Sequence, residues 1–223
     1  LLYIYSISFF ILGAIVGSFL NVIIFRLGTG MLPTGRSRCL SCGKTLSLFE
    51  LVPIFSFLAL RGRCRSCSSR ISIQYPIVEA VTGLVFLLIY LKFRIPIETA
   101  SLKGISEAAL SLFMSAVLIA VAAYDVRHKI IPDILVYIFI ACGLLAALFR
   151  FAEYLPIGVP LFLILDILAG PILFLFFYAL WRFSNGAWMG LGDGKLALGI
   201  GLSLGFVSGF SAVTIGFWTG AIV

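Results

Sequence analysis

The chain opens with "LLYIYSISFFILGAIVGSFLNVIIF", residues 1–25, without one charged side chain. As a helix rising ~1.5 Å per residue, a run of that length crosses the ~30 Å hydrocarbon core of a bilayer. Apolar runs recur at 77–91, 108–124, 134–149, 157–183 and 196–223. With 62% hydrophobic and 11% charged residues and a mean hydropathy of +1.19, a soluble domain of this size would expose too much apolar surface. The sequence therefore predicts an all-α polytopic membrane protein of about six to seven transmembrane helices, the last run forming one long or two short helices broken by glycines at 199, 201, 205 and 209. The first run lacks the basic start and small-residue cleavage site of a signal peptide. A start at Leu1 rather than Met, and an end at Val223 inside an apolar run, lead us to expect further residues at one or both ends.

Charge sets the expected orientation. Eight Lys or Arg between Arg26 and Tyr75 face one acid, Glu50, which accounts for the whole formal charge of +7. Basic residues in short loops mark the cytoplasmic side, so this loop is expected inside and the N-terminus outside. Binding of nucleic acid is a poor reading of a basic segment tied to a membrane at both ends. The expected division is a first span over 1–25, a small cytoplasmic zinc-binding loop domain over 26–76, and a transmembrane bundle over 77–223. Alternation of spans then makes 92–107 an external loop, 150–156 an external turn, and brings both "DVRHKIIPD" and "SNGAWMGLGDGK" to the cytoplasmic face.

The basic loop carries "CLSC" and "CRSC". Cys39, Cys42, Cys64 and Cys67 have the spacing of a tetrathiolate zinc site, whereas two disulfides would need an oxidising compartment. Zinc would also supply folding energy to a loop with little apolar core. Cys142, within an apolar run, reads as a small packed hydrophobe.

Asp125 and Asp193 each stand beside an apolar run where a carboxylate is costly. Two carboxylates sharing one proton hydrolyse a peptide bond without a catalytic metal: the ionised one takes a proton from water while the protonated one donates to the carbonyl oxygen. Gly190, Gly192 and Gly194 would let a substrate strand approach closely. The plainer alternatives are a helix cap with Lys195 for Asp193 and an interfacial pair with Arg127 for Asp125. Asp133 reads as the cap of the following helix, and His128 as a solvated loop residue. The chain has no GxSxG, HExxH or Walker sequence, and the glycines after 194 suit close helix packing.

"GAIVGSFLNVIIFRL", the cysteine loop with "YPIVEAVTG", "YDVRHKIIPD" and "GLGDGKLALGIGLSLG" together resemble, in order and spacing, the bacterial prepilin peptidases, or type IV leader peptidases, over nearly the whole chain. The resemblance implies a membrane aspartic endopeptidase of the bacterial inner membrane. Its substrates would be type IV prepilins or pseudopilins, whose basic leader it removes, and many members then methylate the new N-terminus with S-adenosylmethionine. It implies Asp125 and Asp193 as the catalytic pair, the four cysteines as zinc ligands, and Gly62 as a residue linked to methylation, against a plain turn before the second knuckle. Members usually carry about eight spans, and longer ones have extra residues within the last motif. The compact "GLGD" and the "YD" pair also resemble presenilin-type intramembrane proteases, from which the cysteine loop and the absence of "PAL" separate this chain. A zinc-stabilised scaffold or transporter without catalysis is the alternative of another class.

Overall fold

The computed structural model describes residues 2–29, 35–154 and 161–220. Among these it is helical, with two isolated bridges and no strand. Five helices are long and apolar enough to cross a membrane: α1 (Leu2–Arg26), α3 (Gln74–Lys92), α5 (Leu102–His128), α6 (Asp133–Tyr154) and α7 (Leu161–Phe183). Shorter ones are α2 (Phe55–Ala59), α4 (Arg94–Glu98), α8 (Leu191–Leu204) and α9 (Phe206–Gly220). The last apolar run is thus two helices, turned at Gly205 with φ +78. Residues 221–223 of that run, and 155–160 around the expected turn and the start of the 157–183 run, lie outside the described residues.

By internal contacts the chain forms two units, Leu1–Val126 and Arg127–Val223. In the first, α1 and α3 pack along their length because small residues let their backbones touch. A Cβ on Gly13 would lie 2.6 Å from the Thr82 carbonyl oxygen, and one on Gly17 would lie 2.8 Å from the Glu79 Cα. Their four-residue spacing is the small-xxx-small pattern of close membrane crossings. Aromatic stacks close both ends of the pair, Phe9 on Tyr90 and Phe25 on Tyr75, each with centroids 4.8 Å apart.

In the second unit α8 is the packed centre, contacting α6, α7 and α9. Gly201 meets the Gly170 backbone of α7, Gly199 meets the Phe139 ring of α6, and Gly209 of α9 meets Gly201. These glycines do what the sequence suggested. The break at Gly205 is held by charge: Arg150 donates to the carbonyl oxygens of Leu202 and Ser203, and Asp166 accepts the Phe206 N–H at 2.8 Å. A basic group thus meets the C-terminal end of α8 and an acidic group the N-terminal end of α9, both favourable to the helix dipoles.

Helix ends differ from the sequence expectation in a way that matters for the site. α5 begins at Leu102 rather than near 108 and runs past Tyr124 to His128, its polar first turns including the Lys103–Glu107 pair one turn apart. α4 occupies part of the expected external loop. α8 begins inside the expected glycine loop.

Candidate active site and metal centre

The candidate metal centre, a cluster of four cysteines, is built from two copies of one turn. Arg38 bridges Thr45 as Arg63 bridges Arg70. The Cys39 N–H donates to the Lys44 carbonyl as Cys64 does to that of Ser69, and Gly43 N–H returns to the Cys39 carbonyl as Ser68 does to that of Cys64. Leu46 N–H bonds the Ser37 carbonyl, and Ile71 the Gly62 carbonyl. Every partner is displaced by the same interval, and "RCLSC" against "RCRSC" was the signal of this repeat that spacing alone did not reveal. Each knuckle needs a residue with positive φ after its second cysteine; the first uses Gly43 at φ 71, the second Ser68 at φ 57.

All four Sγ atoms lie within 4.8 Å of one another. Cys39 and Cys67, one from each knuckle, have sulfurs 3.8 Å apart, too far for a disulfide, and all four cysteines are free. A tetrahedron with Zn–S bonds of ~2.3 Å has edges of ~3.8 Å, so the donor set fits zinc. Backbone N–H groups of Cys42 and Ser41, with the Ser69 hydroxyl, lower the Cys39 thiol to about 6, which readies a thiolate. At Cys42 the Lys44 N–H acts downward, but desolvation and the neighbouring Cys39 and Cys67 sulfurs outweigh it and carry the thiol up to about 11. Four thiols this close ionise together only with a cation among them.

Gly62 lies before the second knuckle at φ +66, where a Cβ would press on the Phe57 ring at 3.0 Å. The Phe57 ring therefore covers the face of Gly62 on which a side chain would stand. Its geometry is that of a turn.

Asp125 is half-buried in the last turn of α5, not in a loop after it. The residues before it fix that end of the helix: the Ala123 carbonyl accepts a hydrogen bond from the Gln74 side chain of α3 at 3.4 Å, and the Tyr124 hydroxyl packs over Gly28, just past α1. Asp125 therefore belongs to the end of the first unit from which the cysteine loop leaves and returns.

Asp193 is exposed and lies in the first turn of α8, behind Gly190, whose extended backbone (φ −77, ψ 150) starts the helix. The Asp193 N–H donates to the Gly190 carbonyl at 3.3 Å. A carboxylate here is stabilised by the unpaired N–H groups of the helix start. Lys195, the partner expected for Asp193, bonds Asp133 at 2.6 Å and lies over the Tyr137 ring. Asp133 is the first residue of α6, whose opening bond runs from Val136 to the Pro132 carbonyl, so its carboxylate pairs with lysine rather than capping. The glycine loop is also tighter than expected: Gly192 faces Ile131 and Gly194 is buried against Phe177, leaving Gly190 as the open position. Cys142 is partly buried within α6.

Sequence reasoning passed over Glu79, Arg150 and Asp166. Each is an ionisable residue inside a membrane-length helix, which is signal enough to ask for its partner. Glu79 accepts the Ile54 N–H at 2.7 Å, and the other two hold the α8–α9 break.

Family models match the chain in two stretches, the bacterial peptidase A24 N-terminal domain over 11–93 and the type IV leader peptidase family over 112–223. The chain is 32% identical to a prepilin leader peptidase/N-methyltransferase of Myxococcus xanthus (strain DK1622), over 98% of this chain and 62% of that protein. It is 31% identical to a type 4 prepilin-like proteins leader peptide-processing enzyme of Escherichia coli O78:H11 (strain H10407 / ETEC), over 94% of this chain and 75% of that protein. A prepilin leader peptidase/N-methyltransferase of Burkholderia pseudomallei (strain 1026b) is 31% identical over 96% and 73%. No solved structure matches the chain.

Proposed function

The chain belongs to the type IV leader peptidase family, and from that premise we propose that it is a bacterial membrane aspartic endopeptidase that removes the basic leader of type IV prepilins or pseudopilins. The observation that carries the reading is the pair of family matches: one brackets all four cysteines, the other both Asp125 and Asp193.

The substrate's apolar N-terminal helix lies in the bilayer and its charged leader stays on the side of the cysteine loop, by its basic charge the cytoplasm. The scissile bond then sits at the membrane interface. There one aspartate, ionised, takes a proton from water, and the other, protonated, donates to the scissile carbonyl as the tetrahedral intermediate forms. Cys39, Cys42, Cys64 and Cys67 hold a structural zinc, which closes the two knuckles into one domain and takes no part in proton transfer. The relatives' names support a second activity, methylation of the new N-terminus from S-adenosylmethionine. We assign Gly62 to that activity only through the shape it gives the second knuckle.

The test is Asp125→Asn and Asp193→Asn, each assayed for leader removal in membranes. Both are expected to lose cleavage while retaining folding; full activity in either removes the dyad, and is what a non-catalytic scaffold would give. Label transfer from S-adenosylmethionine to a cleaved pilin tests methylation, and changing all four cysteines to Ser separates the two activities if cleavage survives.

A further inference from the structure

The cysteine loop does not simply stand above the membrane helices. Its middle, the 3₁₀ turn Leu48–Leu51 followed by α2, is bound to the flank of α3 through Glu79, a buried carboxylate that accepts the Ile54 N–H at 2.7 Å. Glu79 lies one and a half turns inside α3, ~8 Å below its first residue at 1.5 Å per residue. α3 has 19 residues, ~28 Å, so little of it projects beyond a ~30 Å hydrocarbon core. α1 places it deeper still: Gly17 abuts the Glu79 Cα, and α1 continues to Arg26, ~13 Å further. Ile54 is therefore held below the ends of both spans that tether the domain. It is held under strain, a β-branched residue at φ 64, and the hydrogen bond its N–H donates to Glu79 makes that conformation tolerable.

The side chains flanking this point are apolar and turned outward. Leu48 is 84% exposed, Phe49 85%, Phe55 72% and Leu58 65%. In a segment of a basic, water-facing loop such exposure would be costly, but at this depth the surroundings are acyl chain and headgroup. Lys44 and Arg65 act electrostatically on Glu50 in the same 3₁₀ turn, so cations lie next to the apolar face, as an interfacial element needs against anionic headgroups.

We propose that residues 48–58 form an interfacial wedge, with Leu48, Phe49, Phe55 and Leu58 inserted among the phospholipids of the leaflet on the cysteine-loop side and Glu79 fixing its depth. The zinc domain is thereby seated on the bilayer as well as tied to it at both ends. This reading rests on the membrane spans and the Glu79 bond, and not on either enzymatic activity.

The test places the photoreactive p-benzoylphenylalanine at Phe49 or Phe55, and for comparison at Ser41 on the first knuckle, in the full chain in phospholipid vesicles. After illumination, mass spectrometry is expected to find phospholipid adducts at 49 and 55 and none above background at 41. Peptide adducts would show the face covered by protein, no adduct would show it in water, and equal capture of lipid at 41 would remove the assignment to this face; each overturns the proposal. The unaltered chain gives a second reading. With the loop side of the vesicle outward, chymotrypsin should spare Phe49 and Phe55, and cleavage at either overturns the wedge even if the labelled variants misfold.

Discussion

Replacing Gly43 by Ala, and separately Ser68 by Gly, tests whether the two knuckles are one structure built twice. Gly43 and Ser68 occupy equivalent positions at φ 71 and φ 57. A Cβ on Gly43 would have no neighbour within 4 Å, so Gly43→Ala adds no packing clash and its cost is the backbone conformation alone. A side chain in the left-handed region costs ~1–2 kcal/mol, part of which is returned because glycine loses more conformational freedom on folding. The net loss for Gly43→Ala is about 1 kcal/mol, and Ser68→Gly should gain a similar or slightly smaller amount. Because metal binding is folding for such a domain, about 1 kcal/mol appears as roughly a fivefold change in zinc affinity. Competition against a chromophoric chelator, using the full chain in detergent, should rank Ser68→Gly above the unaltered protein and Gly43→Ala below it. If Gly43→Ala holds zinc as well as the parent, or Ser68→Gly holds it less well, the knuckles are not equivalent and the backbone argument fails.

Three other expectations follow from packing and charge. Gly201→Ala forces a Cβ to within 2.6 Å of the Gly170 backbone, which cannot rotate away, so a loss of about 1–3 kcal/mol is expected in thermal unfolding in detergent, while Gly216→Ala, with open space around it, should be neutral. Asp166→Ala leaves the Phe206 N–H without its acceptor and should cost about 1 kcal/mol in the same assay, most of it recovered in Asp166→Asn, which keeps an acceptor oxygen. Glu50 accepts from both the Ser47 N–H and hydroxyl, which hold its carboxyl below its ordinary 4.5. A depressed carboxylate contributes stability that is present above 4.5 and lost as pH falls through the lowered value, so NMR should show the Ser47 amide shift following Glu50 below 4.5, and Glu50→Gln should abolish that step.

Features that depend on local pattern were legible in the order of the amino acids. Apolar runs of spanning length form membrane-length helices, two CxxC pairs come together as one four-cysteine cluster that could hold a metal, and glycines spaced along one helix allow backbones to meet. The resemblance carried by the aspartate segments and cysteine loop pointed to the family that the chain matches. Element ends were less legible, since a polar stretch continues a helix or ends it according to what it pairs with: Lys103 and Glu107 allow α5 to begin early, and α8 starts in "GLGD" because Gly190 adopts the extended backbone that opens a helix.

Which charge meets which is set by how the helices pack. Lys195 lies two residues from Asp193 yet bonds Asp133, distant in sequence, because packing of α6 against α8 brings their first turns together. Arg150 and Asp166 carry no motif, and their purpose emerges only where α8 ends and α9 begins. Glu79 reads in sequence as an acid misplaced in an apolar run; in the fold it is the acceptor that fixes a strained Ile54 against a membrane helix. The physical reason is common to all three. A charge set on or beside an apolar helix is stabilised by a partner, and partners that come from other elements are set by packing geometry, which no local stretch of sequence encodes.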